Sequence, residues 1–196
     1  ARPERSAQRE VEGRLARTSG QRPSTTPPAE APLRTNEDRA EAQLIFDEPA
    51  EAAGKDYFKL GALAVSPDGR LAATMVDDDG SERFKLRIRD LAIGRDLETV
   101  TEVGIGHPVW SSDSAAIVFT EVNEHWRSYR ARLHRIGAPP EDAVTLYEET
   151  EDPGFSVDIG RSQDRSLLFI ATGDNTTSEV RFVPADRPDA EPVLIS

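Results

Sequence analysis

The sequence predicts an all-β fold: a partial β-propeller of about three four-stranded antiparallel blades, preceded by a tail that is disordered or irregular. A motif with Ser at one position and Asp two positions later occurs three times, at intervals of 45 and 51 residues, beginning at Ser66, Ser111 and Ser162. An apolar or aromatic residue stands sixteen positions after each of these Asp residues, at Phe84, Tyr129 and Val180. Repeats of about 40 to 50 residues with four short strands each are typical of propeller blades.

Each repeat is predicted to hold a strand, a tight turn, a strand, a polar loop, a strand, a second turn and a last strand. The first turn, Ser66-Pro67-Asp68-Gly69, has residues that a type I turn favours. From Phe84 to Asp90 apolar and basic residues alternate, which is the period of a half-buried strand. The predicted strands are 62–65, 70–76, 83–90 and 98–103 in the first blade, 107–110, 116–122, 129–136 and 144–148 in the second, and 156–160, 166–172, 179–183 and 192–196 in the third. Residues 44–48 are predicted to be the last strand of a preceding blade.

The second strand of a repeat is apolar on both faces, as in Leu71–Val76 and Leu167–Ala171. Such strands fit sheets that are stacked face to face between neighbouring blades, rather than one sheet with a solvated side. A β-sandwich is the alternative architecture, and it fits less well because it does not require a fixed internal period.

Residues 1–42 are predicted to form the low-complexity tail, and residues 43–196 the partial propeller domain. Val11, Leu15 and Leu33 are the only large apolar side chains of the tail, which is rich in Arg, Glu, Pro, Ser and Thr. Such a segment buries too little apolar surface to offset the entropy that ordering it costs.

Charge is distributed unevenly along the chain. Its formal net charge is −12, and residues 1–42 hold eight Arg and seven acidic residues, which leaves 16 basic and 29 acidic residues in 43–196. An acidic repeat region argues against a nucleic-acid partner, because phosphate binding needs a basic face. The excess of acid serves solubility, or it lines a cavity that attracts cationic ligands.

The composition also restricts the cellular setting. The chain has no Cys, which excludes disulfides and Cys-type zinc sites and is compatible with a reducing compartment. The longest apolar run, Leu167–Ala171, is too short to cross a bilayer, and no charged-then-apolar leader precedes it. We therefore expect a cytoplasmic protein that does not enter a membrane, with the periplasm as the alternative. Because Met75 is the only Met, Ala1 is not an initiator, and we expect a processed chain or a piece of a longer one.

No motif for catalysis, metal or cofactor binding is found, and we predict no catalytic residue, no metal site and no cofactor in this chain. There is no G-x-S-x-G nucleophile elbow, and the three His residues lack metal-ligand spacing. Asp77-Asp78-Asp79-Gly80 lacks the ligand spacing of a calcium loop and is interpreted as a solvated hairpin loop. The basic stripe Arg130, Arg132, His134 and Arg135 is interpreted as an outward face paired with acidic neighbours.

Several segments together resemble the propeller of oligopeptidase B, a group of serine peptidases within the prolyl oligopeptidase family. They are Asp56–Leu71, Asp79–Arg83, Leu86–Leu91, His134–Gly137 and, above all, Thr176–Arg181. The Ser-Pro-Asp-Gly turn alone is common to many propellers, whereas the ordered set is specific and covers residues 43–196.

The resemblance implies a two-domain enzyme in which a seven-bladed propeller restricts entry to short peptides. In oligopeptidase B an α/β-hydrolase domain carries the Ser, Asp and His, and cleavage follows Arg or Lys. The resemblance therefore implies two partners for this chain, the catalytic domain, which is absent from it, and short cationic peptides. Glu82, in the loop after Asp77–Asp79, is the candidate for a contact with either one, against the alternative of a solvated loop carboxylate. We also expect self-association through the open faces of an incomplete ring.

Two other functions remain open at this point. One is a stand-alone propeller that acts as a binding scaffold without enzymatic activity. The other is a periplasmic propeller of the translocation type, which also uses Ser-Pro-Asp-Gly turns.

Overall fold

The structure, a computed structural model, describes residues 43–195. The predicted tail over residues 1–42 lies outside the described residues, and its boundary with the propeller stays a prediction. The strands are β1 Lys59–Val65, β2 Leu71–Asp77, β3 Phe84–Asp90, β4 Arg95–Trp110, β5 Ala116–Val122, β6 Ser128–Arg135, β7 Val144–Glu148, β8 Ser156–Arg161, β9 Leu167–Gly173, β10 Ser178–Pro184 and β11 Val193–Leu194. A short helix, α1 Glu48–Ala52, precedes β1, and a 3₁₀ turn, Pro140–Asp142, precedes β7.

The strands form antiparallel sheets that correspond to the three predicted blades. The first sheet has the order β1-β2-β3-β4-β5-β6-β7, and the second has the order β8-β9-β10-β11. The long strand β4 serves two blades, because residues 95–104 pair with β3 whereas residues 104–110 pair with β5. Between these halves the register shifts and Gly106 has φ +73°. The predicted strands 98–103 and 107–110 are therefore one continuous strand, and the partial propeller is confirmed.

The predicted strand at residues 44–48 is wrong. Residues 43–47 have no regular structure, and Asp47 caps α1 by accepting a hydrogen bond from Ala50 N at 3.0 Å. Pro49 lies in the first turn of α1, where its missing N–H costs nothing. The cap therefore begins a helix where the apolar pattern indicated a strand.

The three Ser-x-Asp motifs fold into the same hydrogen-bonded turn. In the first, Ser66 Oγ donates to Asp68 Oδ1 at 2.6 Å and accepts from Leu71 N at 3.0 Å, while Asp68 Oδ1 also accepts from Arg70 N at 3.1 Å. Ser111 with Asp113 and Ser162 with Asp164 repeat these bonds to within 0.1 Å. Side chains thus take over the backbone donors that the reversal leaves unpaired.

The fourth residue of each turn lies in the left-handed region, with φ between +63° and +72°: Gly69, Ser114 and Arg165. Glycine adopts this conformation without strain, whereas a side chain makes it costly. Ser114 gains a compensating bond, because its Oγ accepts from Asp68 N at 3.1 Å and so joins the turns of the first two blades.

Apolar clusters lie between the blades. The largest, between the first two blades, includes Met75, Leu86, Ile88, Trp110 and Phe119. Val118, Leu133, Leu168 and Val183 form the core between the second and third blades. All seven residues of β5 are buried, whereas β9 alternates between buried and partly exposed side chains. The middle blade is thus covered on both faces, and the third blade is covered on one.

The basic stripe of β6 is paired with acidic neighbours, as predicted, but most of it lies between blades, so the prediction of an outward face is wrong for all but Arg135. Arg130 donates to the buried Glu121 through Nη2 at 2.6 Å, and Arg132 Nη1 lies 3.6 Å from the same carboxylate. Thr101 Oγ1 of β4 donates to Glu121 Oε1 at 2.8 Å. His134 is fully buried, with Nε2 3.2 Å from Glu98 Oε1. Within residues 43–195, no helix is long and apolar enough to cross a membrane.

We expect Arg165→Gly to raise the free energy of unfolding by about 0.5 kcal/mol, because glycine relieves the left-handed strain at φ +65°. Gly69→Ala is the matched opposite change. A methyl group there meets no atom within 4 Å, so the expected loss of about 1 kcal/mol comes from φ alone. Urea unfolding curves measure both variants, and a shift of the same sign in the two would contradict this account.

We expect stability to fall as the pH drops below about 4. Serine hydroxyls lower the pKa of Asp68, Asp113 and Asp164 below the usual 3.8, with help from the backbone amides of the same turns. A lowered pKa in the folded state gives stabilisation that is complete above the unfolded value and disappears as the pH falls through the folded one. Thermal unfolding from pH 6 to pH 3 provides the test. The melting temperature of the triple variant Asp68→Asn, Asp113→Asn and Asp164→Asn should fall less over this range than that of the parent. Equal slopes would exclude the turns as the source.

We expect Glu121→Ala to lower the free energy of unfolding by about 3 kcal/mol, because it leaves two arginines between the blades without their carboxylate. Glu124→Ala is the control, since its side chain is 84% exposed and should matter by less than about 0.5 kcal/mol. Chemical denaturation of both variants provides the test, and similar losses would refute a special role for the buried pair.

Candidate functional site

The two ends of the blades differ in character. At one end lie the Ser-x-Asp turns and the turns between the third and fourth strands. At the other end, here called the loop end, lie the polar loops 78–83, 123–127 and 174–177 and the connection 149–155 between the second and third blades. Glu82 lies in the first of these loops, at the loop end.

Asp77 builds the loop that presents Glu82. It is 1% exposed, and its carboxylate accepts from Asp79 N, Gly80 N and Glu82 N at 2.8–3.2 Å. Asp77 is therefore a buried structural residue, and the prediction of a solvated hairpin loop is wrong at this position. Asp78 pairs with Lys85 and Arg87 at 2.8 and 2.9 Å, which holds its pKa below the usual value. Glu82 has φ +60°, and its side chain is exposed.

Trp126 occupies the corresponding place in the second blade and was missed by sequence reasoning. Like Glu82 before Phe84, it stands two residues before the next strand, and its φ is +58°. Its indole Nε1 donates to Ser81 O at 2.8 Å, and the Arg83 guanidinium lies 4.5 Å from the ring centre. Trp126 nevertheless remains 49% exposed. No sequence signal pointed to Trp126, because the 45-residue period aligns Glu82 with Arg127, and the match of Trp126 to Glu82 appears only when the observed strand starts are compared.

An acidic cavity of about 400 Å³ lies beside the connection from the second blade to the third. Its lining contains five carboxylates and one arginine, with two aromatic rings and a threonine: Glu148, Glu149, Glu151, Asp152, Glu179, Arg181, Tyr147, Phe155 and Thr150. Arg181 is already engaged, since its Nη2 lies 2.7 Å from Glu179 Oε2 and its guanidinium covers the Tyr147 ring at 4.5 Å. The cavity therefore carries an excess of negative charge.

Hydrogen bonds keep this charge in place. Glu149 is buried and accepts from Asp152 N, from Glu151 N and from the Tyr147 hydroxyl at 2.8–3.0 Å. The amide of Asp152 is the main cause that lowers the pKa of Glu149. Burial, and then the hydrogen bond to Glu149, raises the pKa of Tyr147. Glu149 is thus a fixed anion at neutral pH, and Tyr147 remains its neutral donor.

The described residues hold no group of three or more His, Asp or Glu side chains that could bind a metal ion. His107 and His125 are exposed and His134 is buried, in three different places of the fold. The loop end combines exposed carboxylates, a hydrogen-bonded indole and an acidic cavity.

Comparison with known proteins agrees with the fold. Residues 21–196 match the prolyl oligopeptidase N-terminal β-propeller domain, and this match begins within the segment set apart as a tail. Dipeptidyl aminopeptidase BI from Pseudoxanthomonas mexicana is 34% identical over 158 residues, which are 80% of this chain and 22% of that protein. Protease 2 from Moraxella lacunata is 29% identical over 151 residues, which are 76% and 22%.

Solved structures give the same result. Oligopeptidase B from Trypanosoma brucei, in a closed form with covalently bound antipain, is 28% identical with a TM-score of 0.68, over 78% of this chain and 21% of that one. Oligopeptidase B from Leishmania major is 22% identical with a TM-score of 0.70, over 81% and 23%. The chain spans about a fifth of the length of these relatives. With three blades observed and a family match over most of its length, the chain belongs to the prolyl oligopeptidase family, as part of its N-terminal β-propeller domain.

Proposed function

We propose that this chain is the gating and substrate-selecting part of an oligopeptidase B-like serine peptidase that cleaves short peptides after basic residues. Its partner is an α/β-hydrolase catalytic domain that supplies the Ser, Asp and His. The observation that carries the proposal is the acidic cavity, whose five carboxylates face a single arginine that is already paired. The names of two similar structures, oligopeptidase B from two organisms, support it.

The role of the acidic cavity follows from its negative electrostatic potential. A partly enclosed site lined by charges of one sign raises the local concentration of oppositely charged ligands and speeds their capture. The repeat region as a whole adds to this effect, since acidic residues outnumber basic ones by 29 to 16 over residues 43–196. Peptides with Arg or Lys are drawn to the loop end, while neutral and acidic peptides are not.

Glu82 belongs to the same proposal. Its side chain is exposed at the loop end on a loop that Asp77 holds rigid, so it can pair with a cation without ordering the backbone first. We place the enzyme in the cytoplasm, and an export leader in the full gene would contradict that location.

Binding of a fluorescein-labelled Gly-Ala-Arg-Gly peptide to the 196-residue chain tests the proposal by fluorescence anisotropy. We expect the double variant Glu151→Gln and Glu179→Gln to weaken binding about fivefold, since two rim carboxylates contribute roughly 1 kcal/mol together. The affinity should also fall as salt is added, because these charges are exposed.

The matched control is the double variant Glu141→Gln and Asp186→Asn. It removes the same charge from exposed positions at the opposite end of the blades, and we expect it to leave the affinity unchanged. If both double variants lose the same affinity, the effect comes from the net charge of the chain and not from the acidic cavity. Equal binding of Gly-Ala-Gln-Gly would refute cationic selection.

The chain alone should not hydrolyse peptides that contain Arg. Gene sequence beyond Ser196 that encodes G-x-S-x-G, followed by Asp and His, would support the peptidase. A stop codon directly after a closing strand would favour the binding scaffold instead.

A further inference from the structure

We propose that the cavity beside Trp126 is a second subsite, which holds an apolar, preferably aromatic, side chain of a peptide whose basic residue enters the acidic cavity. This inference rests on the proposed function for its cationic half. The Trp126 half stands on separate observations.

The first observation is a second cavity, of about 500 Å³, at the loop end. Loop 123–127 of the second blade forms one side of this Trp126 cavity, with Trp126 and His125, and the residues Pro153, Gly154 and Ser156 form the other. This size is within the range of sites that bind small ligands. Apolar and small residues dominate the second side, so it offers shape and contact area rather than charge.

The second observation is that the indole of Trp126 is held rigidly although it is half exposed. Its Nε1 is bound to Ser81 O, the Arg83 guanidinium lies over the ring, and Trp126 N donates to Asn123 O at 3.2 Å. The left-handed backbone at Trp126 is strained, and such strain occurs at binding sites more often than elsewhere. A ring that is ordered before binding loses little entropy when it accepts a ligand.

The third observation is that the Trp126 cavity and the acidic cavity share a wall. Asp152 and Phe155 line the acidic cavity, while Pro153, Gly154 and Ser156 line the Trp126 cavity. Arg127 fixes this wall, because its guanidinium donates to the carbonyls of Glu149, Asp152 and Phe155. Because the two cavities share this wall, one short bound peptide can place a side chain in each of them.

The ligand chemistry follows from these surroundings. An indole presents a flat apolar surface with a negative face, which favours aromatic rings and prolines as neighbours. The carboxylates across the shared wall require a cation close by. A short peptide with an aromatic residue next to Arg or Lys satisfies both halves, whereas an acidic peptide satisfies neither.

The test uses the 196-residue chain and four fluorescein-labelled peptides: Gly-Phe-Arg-Gly, Gly-Ala-Arg-Gly, Gly-Phe-Gln-Gly and Gly-Ala-Gln-Gly. We expect Gly-Phe-Arg-Gly to bind at least tenfold more tightly than Gly-Ala-Arg-Gly. Trp126→Ala should abolish this preference, so that Gly-Phe-Arg-Gly and Gly-Ala-Arg-Gly bind with about the same affinity. Trp126→Phe keeps an aromatic ring and should retain most of the preference.

Intrinsic fluorescence of unlabelled peptide complexes gives an independent readout. The chain has two tryptophans, and Trp110 is 2% exposed, so a change of emission on binding reports Trp126. We expect Gly-Phe-Arg-Gly to shift the emission and to protect the indole of Trp126 from quenching by acrylamide. Gly-Ala-Arg-Gly should have a far smaller effect on both.

Each contrary outcome has a definite meaning. A preference for Phe that survives Trp126→Ala overturns the subsite, as does an equal loss for both Arg peptides or an absence of binding for all four. If Phe matters through Trp126 but Arg can be replaced by Gln without loss, the subsite stands and cationic selection fails. If no peptide changes the emission of Trp126 but a catalytic domain of the family does, Trp126 contacts that domain instead of a peptide. This outcome overturns the proposal.

Discussion

The hydrogen bond from a serine hydroxyl to an aspartate two residues later is the interaction on which the rest of this fold depends. It closes the reversal between the first and second strands in all three blades, at Ser66, Ser111 and Ser162. The same hydroxyl accepts the amide of the residue that begins the second strand, so the pair also sets the register of that strand. Since a slip of one residue would turn every apolar side chain to the wrong face, the stacking of the blades follows from this local bond.

Much of the fold could be predicted from the sequence because its information is periodic. The turns repeat, and the second strands are apolar on both faces, so β5 and β9 lie within a few residues of their predicted bounds. The prediction failed where a polar cap competes with an apolar pattern. Leu44, Ile45 and Phe46 indicated a strand, but Asp47 caps a helix directly after them, and this outcome depends on one side-chain bond rather than on period.

The candidate site was far less predictable, because its parts come from different repeats. Glu82 was named from the sequence, and the structure places it at the loop end. The acidic cavity joins the end of β7 to β10, 30 residues further on, and no local pattern connects Glu149 with Glu179. The charge of the basic stripe in β6 was visible, but its orientation was not. Strand period assigns residues to one of two faces, and only packing decides which face meets a neighbouring blade.

Strand β4 has a mechanical consequence. Its 16 residues form the outer edge of one blade and the opening strand of the next, so the first two blades share one hydrogen-bonded sheet without a flexible joint. The second and third blades belong to separate sheets, joined by seven residues of irregular chain, by side-chain packing and by single hydrogen bonds such as Ser112 N to Ala185 O at 2.9 Å and Ser128 Oγ to Val157 O at 2.5 Å. Separating the third blade from the second breaks no strand ladder, whereas separating the first two blades does. The interface between the second and third blades is therefore the weaker of the two, and both cavities lie along it. Any separation of neighbouring blades in the described part of the chain is therefore easiest between the second and the third.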